Sequence, residues 1–356
     1  MRTAFGCWIL LIALVACSRP DRRLSRQAHD LIEQGKIQEA QEVIETGLRQ
    51  FPDSPDLRQQ RMLLHLLAGQ AELAAAEARQ ILQNHPSAQP YRDPLRDPSP
   101  AVRCSALRAV ALDPPHGIVP SGTLQKALHD SDPTVRREAV EATRLLQNSQ
   151  AIPLLRQAAR DSDWLTRAAA ARLFGSRADP QTLPDLFALL ADRDSYVRRF
   201  ARRSLLELAG QAQPEAYVPS LSSSDRTTQV VAALALARLN DGRGIEILLA
   251  EIANPMGIER AEAVKSAARV RDPRVLPALR TATSDADPEV RVVALIALGL
   301  LQDKESATLL KKVYADPTAP RQVHLAAGKA IELLSQPAPK TEPAPGFSPP
   351  APPARK

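Results

Sequence analysis

The sequence predicts an all-α fold, an α-solenoid of stacked helix pairs, on three observations. A short phrase, best preserved as Asp-Ser-Asp-Pro-Thr-Val-Arg at 130–136 and Asp-Ala-Asp-Pro-Glu-Val-Arg at 285–291, occurs eight times between Asp97 and Gln322. Its last position reads Arg103, Arg136, Arg167, Arg198, Gln229, Arg260, Arg291 and Gln322, so that after a first step of 33 every step is 31 residues. Aromatic residues make up only 3% of the chain, which suits thin helical layers that meet through small side chains. A fixed period of this length implies one helix pair per unit, each unable to bury its apolar face alone. Function then lies in a long surface more than in a catalytic pocket.

The first 16 residues read as an export signal, with Arg2 as a basic start and an apolar stretch from Phe5 to Ala16 that is too short for a settled membrane span. The stretch runs into Leu14-Val15-Ala16-Cys17, which resembles the lipobox of bacterial lipoproteins. That resemblance implies cleavage before Cys17, lipidation of Cys17 and a short tether over 17–23. Ser18 follows the cysteine where an Asp would resemble an inner-membrane retention signal. The implied location is therefore the bacterial outer membrane, facing the periplasm, with the inner membrane and the cell surface as alternatives. Removal of 1–16 discards Cys7 and leaves Cys104 with no internal disulfide partner, so it is expected as a small, partly buried helix residue.

Residues 24–88 carry a different period. Gly35 and Gly69, Ala40 and Ala74, and Pro52 and Pro86 are each 34 apart. The pattern resembles the tetratricopeptide repeat, in which the Gly falls between two helices, the Ala permits their close approach and the Pro closes the unit. Prolines at 90, 94, 98 and 100 mark a joint over 89–96, and a proline-rich segment, 336–356, is expected to be an extended tail.

Within the array at 97–335, the position six before the Arg or Gln reads Asp97, Asp130, Asp161, Asp192, Ser223, Asn254, Asp285 and Asp316, all turn or capping residues. Two positions further on stand Ser99, Asp132, Asp163, Asp194, Asp225, Met256, Asp287 and Thr318, with Pro100, Pro133 and Pro288 following three of them, and a short acceptor followed by proline marks a helix start. Three residues after the Arg or Gln, seven units hold Ala and the eighth holds Leu325, which predicts helices at close range. The preceding half of each unit carries a second helix, with Pro153, Pro184 and Pro277 in matching places.

Iterated in this way, the Asp-turn-Val-Arg phrase resembles the HEAT repeat of the kind shared with phycobilisome lyases. The resemblance implies that the Asp and Arg of successive repeats form a hydrogen-bonded ladder along the stack. Its members here would be Asp97, Arg103, Asp130, Arg136, Asp161, Arg167, Asp192, Arg198, Arg260, Asp285 and Arg291, with Asp130 meeting Arg136, Asp161 meeting Arg167, Asp192 meeting Arg198 and Asp285 meeting Arg291. It also implies that the helix after the turn lines a concave surface. Gln229 and Gln322 depart from the pattern, and the last unit reads as a terminal cap.

The metal-dependent hydroxylases of this fold resemble one another in repeated His-Glu pairs, and none of the six histidines here precedes a Glu. No zinc, phosphate-loop or hydrolase motif occurs, so the sequence suggests no catalytic residue, metal site, cofactor or small-molecule substrate. The net charge of +6 is modest and mixed, too little to argue for nucleic acid. At 100° per residue, the positions one, five and eight after the ladder residue are expected to face outward. In the first half these include Arg108, Arg137, Arg144, Arg172, Arg199 and Arg203. In the second half they include Leu234, Val292 and Ile296.

The sequence thus suggests a lipid-anchored envelope scaffold that binds a protein or extended peptide on a face half basic and half apolar. An enzyme or enzyme accessory of the lyase type and a structural protein that binds cell-wall polymer are the alternatives.

Overall fold

The computed structural model describes residues 19–112 and 121–336. They are helical throughout, with no strand among them, and form an all-α solenoid of helix pairs. The chain divides into two compact units, 1–177 and 178–356. Among the described residues no helix is long and apolar enough to cross a membrane.

The first unit opens with two helical hairpins, Pro20–Glu33 with Ile37–Gln50 and Pro55–Leu67 with Ala71–Asn84. Their turns are copies of one another. Gly35 and Gly69 take φ of +74° and +72°, a conformation that glycine adopts without a Cβ penalty. The residue after each glycine donates its N–H back across the helix end, Lys36 to the Leu31 carbonyl at 2.9 Å and Gln70 to the His65 carbonyl at 2.8 Å. This double closure stops one helix and aims the next, which is why the glycines recur at 34 residues. Ala28, Ile44, Leu48 and Leu57 form the core between the hairpins. Gly47 sits so close to Leu57 that a Cβ there would lie 2.9 Å from a leucine methyl. Ala71–Asn84 in turn packs on Pro100–Ala111, so the hairpins continue directly into the 31-residue repeats. Those repeats supply Pro133–Ala142, Asn148–Ala158 and Trp164–Ser176 to the same unit.

The second unit pairs Leu183–Leu189 with Ser195–Leu208, Ile245–Ile252 with Arg260–Val270, Val275–Ala282 with Pro288–Leu300, and Ala307–Ala315 with Arg321–Ser335. In the pair that ends with Arg226–Arg238, the leading helix is reduced to a 3₁₀ stretch, Val218–Ser222. Helix starts follow capping chemistry. Asp132, Asp163, Asp194, Asp225 and Asp287 each accept a backbone N–H from the first turn of the helix they precede. In the sixth repeat this position is Met256, which offers no acceptor, and the helix begins only at Arg260. The intervening loop leaves Met256 and Ile258 largely in solvent.

The alanine slot is the innermost position of each repeat. Ala106, Ala139, Ala170, Ala201, Ala232, Ala263 and Ala294 are all 0% exposed, whereas Leu325 of the last repeat is 60% exposed. Helices also meet at near backbone distance elsewhere. A Cβ on Gly299 would lie 2.8 Å from the Ala330 Cα, and one on Gly244 would lie 2.7 Å from the Ala233 Cα. A chain so poor in aromatic residues fills its layers by bringing backbones together.

Candidate functional site

Each repeat turn is built from the residue six before the ladder position. In all eight repeats its side-chain oxygen accepts the N–H two residues on, at 2.8 to 3.1 Å, whether it is Asp, Ser223 or Asn254. This side-chain turn holds its backbone carbonyl toward the ladder residue of the same repeat. Arg103, Arg136, Arg167, Arg198 and Arg291 donate Nη1 to that carbonyl at 2.6 to 2.9 Å, and Gln229 donates Nε2 to it at 2.8 Å.

The carboxylates pair in a different sense from the one the sequence suggests. Asp130 meets Arg103 of the repeat before it, and its own Arg136 reaches only its backbone. Arg103 grips Asp130 with Nε at 2.8 Å and Nη2 at 2.7 Å. Arg136 grips Asp161 with both at 2.8 Å, and Arg260 grips Asp285 at 3.0 and 3.1 Å. The pairings Asp130 with Arg136, Asp161 with Arg167, Asp192 with Arg198 and Asp285 with Arg291 are therefore backbone contacts within a turn. The bonds that tie repeats together run from arginine to the carboxylate one repeat ahead. The reason is geometric, because a turn that spends its carbonyl on its own arginine presents its carboxylate to the neighbouring layer. Burial works to raise the pKa of Asp161 and Asp285, but the hydrogen bonds from Arg136 and Arg260 and from the turn N–H groups hold both below the usual carboxylate range. Among the described residues the Asp97 carboxylate accepts the Ser99 N–H and meets no ladder arginine.

A second turn escaped the sequence reading. Ala178, Asn240, Arg271 and Gln302 adopt φ of +56° to +59°, and each precedes an aspartate: Asp179, Asp241, Asp272 and Asp303. Their spacing of 62, 31 and 31 was the available signal. Asp179, Asp241 and Asp272 accept the N–H two residues on, and Arg243 and Arg274 pair with Asp241 and Asp272 while reaching back to Glu215 and Glu246. Asp303, buried, receives Arg280 at 2.8 and 2.7 Å.

The proposed binding face divides unevenly. In the first unit Arg108 and Arg144 are exposed, and Arg137 and Arg172 are half-buried. Arg108 donates to Glu138 at 2.6 Å, Arg144 meets Glu141 at 3.1 Å, and Arg172 also meets Glu141. Arg137 makes no ion pair among the described residues. In the second unit Arg199 and Arg203 are exposed. Arg199 lies 4.8 Å from the centre of the Tyr196 ring, and Arg203 meets Glu207 at 2.7 Å.

Of the apolar positions expected to face outward, Leu234 does not. Leu234 is 0% exposed, and every residue from Val230 to Ala237 is buried. Arg226–Arg238 packs against Ser195–Leu208, Arg260–Val270, Ile245–Ile252 and the 3₁₀ stretch Val218–Ser222, so it has no solvent face in its middle. The 100° projection allowed for neighbours on one side only. Val292 and Ile296 are half-buried. An ion pair between Arg202 and Glu259 joins the repeats on either side of this helix, and burial raises the Glu259 pKa despite Arg202.

Cys104 is buried, and burial pushes its thiol pKa up. No group of three or more His, Cys, Asp or Glu among the described residues is placed to hold a metal ion. Cys17, the signal segment 1–16 and the tail beyond Gln336 lie outside the described residues.

Among solved structures, human deoxyhypusine hydroxylase in complex with glycerol is similar at 18% identity and a TM-score of 0.31, over 74% of this chain and 98% of that one. The complex of CpcE and CpcF of phycocyanin lyase from a Nostoc species is similar at 17% identity and a TM-score of 0.32, over 68% and 93%. No curated protein matches the sequence. HEAT repeats match residues 88–164, 119–207, 152–236 and 245–332, together more than half of the chain. With the eightfold turn and the forward-pointing ladder, these matches mean that the chain belongs to the HEAT-repeat family.

Proposed function

We propose that this protein is a lipid-anchored scaffold of the bacterial envelope, held in the outer membrane through Cys17 and facing the periplasm, which binds an acidic protein or extended peptide along the arginine-bearing helices of its repeats. The observation that carries the binding half is the division of labour on those helices. Apolar positions such as Leu234 are consumed by packing, while Arg108, Arg144, Arg199 and Arg203 project from the surface. Attraction is then chiefly electrostatic, which favours fast, salt-sensitive capture. The paired hairpins at 24–88 are read as tetratricopeptide-like. The anchoring half rests on Leu14-Val15-Ala16-Cys17 behind an apolar run.

The test uses the full-length protein expressed in a bacterium with two membranes. Cys17→Ser is expected to release the protein from the membrane fraction or to leave an uncleaved precursor. Unchanged processing and fractionation refute the anchor. In a pull-down from solubilised membranes, reversal of Arg108, Arg199 and Arg203 to Glu is expected to lose partners that the wild type retains at low salt. Equal recovery by both refutes the basic face.

A further inference from the structure

The ladder leaves one rung open inside a cleft. Arg291 holds the pose of the other ladder arginines, with Nη1 donating to the Asp285 and Ala286 carbonyls at 2.6 and 3.2 Å. Arg136 is anchored in the same way, to Asp130 and Ser131 at 2.9 and 3.2 Å, and turns its Nε and Nη2 edge onto Asp161. Among the described residues Arg291 has no such partner. The carboxylate one repeat ahead, Asp316, is turned to the Thr318 N–H and hydroxyl at 2.8 and 2.7 Å and makes no bond to Arg291. The last two repeats pack closely along Pro288–Leu300 and Arg321–Ser335, and beside that contact a cleft of about 630 Å³ opens, lined by both Arg291 and Asp316.

The cleft has the chemistry of a receptor for an acidic peptide. Lys312 adds a second cation to its wall, Thr283 and Ser284 lie beside Arg291, and Val313 and Val323 supply apolar surface. The guanidinium edge is already oriented by two backbone acceptors, so little conformational freedom remains to be lost when a carboxylate docks on it. Arg198 offers an instructive contrast. It also lacks a carboxylate, because the next repeat presents Ser223 at that position, but its side chain is exposed to solvent. At Arg291 the cation is half-buried in a recess that also holds an acceptor, Asp316, for a donor on the ligand.

We infer that the cleft between the last two repeats binds an acidic peptide segment, with a side-chain carboxylate taken bidentately by Arg291, assisted by Lys312, and a neighbouring backbone N–H offered to Asp316. The ligand repeats in trans what Asp130 and Asp161 do in cis. This site is separate from the arginine-bearing helix face and does not depend on its role.

The probe is the turn that fills the Arg103 rung, acetyl-Asp-Ser-Asp-Pro-Thr-amide, carrying a fluorophore and titrated with the full chain by anisotropy at low salt. Wild type and Arg198→Ala are expected to bind it equally. Arg291→Lys keeps the charge but loses the fork, and is expected to weaken binding about tenfold or more. Lys312→Ala is expected to weaken it less and to flatten the salt dependence. The peptide with Asn for both Asp residues is expected not to bind. Circular dichroism confirms that each variant is folded. The proposal is overturned if wild type fails to bind the peptide, if Arg291→Lys binds it as wild type does, or if free acetate displaces it at equal concentration, which would reduce the site to one for small carboxylates.

Discussion

Glu141 and Leu234 hold the same place in their repeats, five residues after the ladder position, and meet opposite surroundings. Glu141 is half-buried on Pro133–Ala142 and receives Arg144 and Arg172. Leu234 is enclosed on Arg226–Arg238, with helices packed around it. A shared register therefore fixes where a helix begins and which residue lies innermost, but not which of its other faces reaches solvent. That is decided by neighbours from other repeats. The residues answer to it, since 137–144 holds Arg137, Glu138, Glu141, Thr143 and Arg144 where the matching 230–237 reads Val-Val-Ala-Ala-Leu-Ala-Leu-Ala.

The largest effect should come from forcing the first helix's chemistry onto the second. Leu234→Glu places a carboxylate among apolar side chains and removes a fully buried leucine. It should destabilise the chain by at least about 3 kcal/mol or prevent folding. A denaturant midpoint close to that of the wild type would mean that this helix has an open face after all.

An intermediate effect belongs to the ladder, which both helix types share. Arg136→Ala leaves Asp161 without its guanidinium, although the Asp163 N–H still reaches it, and should cost about 1 to 3 kcal/mol at neutral pH. The sign of its pH dependence follows from Asp161, whose folded pKa lies below the ordinary value of about 3.9. The rung's contribution is present above that value and lost as pH falls through the folded pKa. Wild type and variant should thus converge in stability in acid. A gap that persists unchanged at low pH would assign the loss to packing of the arginine stem instead.

The smallest effect is the reverse exchange. Glu141→Leu removes two ion pairs from a partly exposed face and should change stability by no more than about 0.5 kcal/mol. A cost near that of Arg136→Ala would show that the Glu141 cluster is structural and that its arginines are not available to a partner.

Much of this architecture was legible because it repeats. The helix starts at Asp132, Asp163, Asp194, Asp225 and Asp287 follow from one local rule, a short acceptor before a helix. The alanine slot follows from a constant distance to that start. What was not legible depends on contacts between repeats. The direction of the ladder is invisible in sequence, since Asp130 is six residues from Arg136 and 27 from Arg103, and only the stacking of layers selects the longer pairing. The second turn was hidden for another reason. Ala178, Asn240, Arg271 and Gln302 share a backbone conformation and no chemistry, so only the aspartate after each of them carries the period.

The forward sense of the ladder gives the chain a grammar for changing length. Arg103 and Arg136 each reach one repeat ahead, so a 31-residue cassette cut between matching points of two successive repeats carries away one arginine and one aspartate and leaves the remaining ends complementary. Duplication by the same cut inserts a layer whose two faces already fit. A cut out of phase orphans a cation on one side and an anion on the other. Where the rungs are intact, lengthening in whole repeats therefore keeps each ladder arginine opposite a carboxylate.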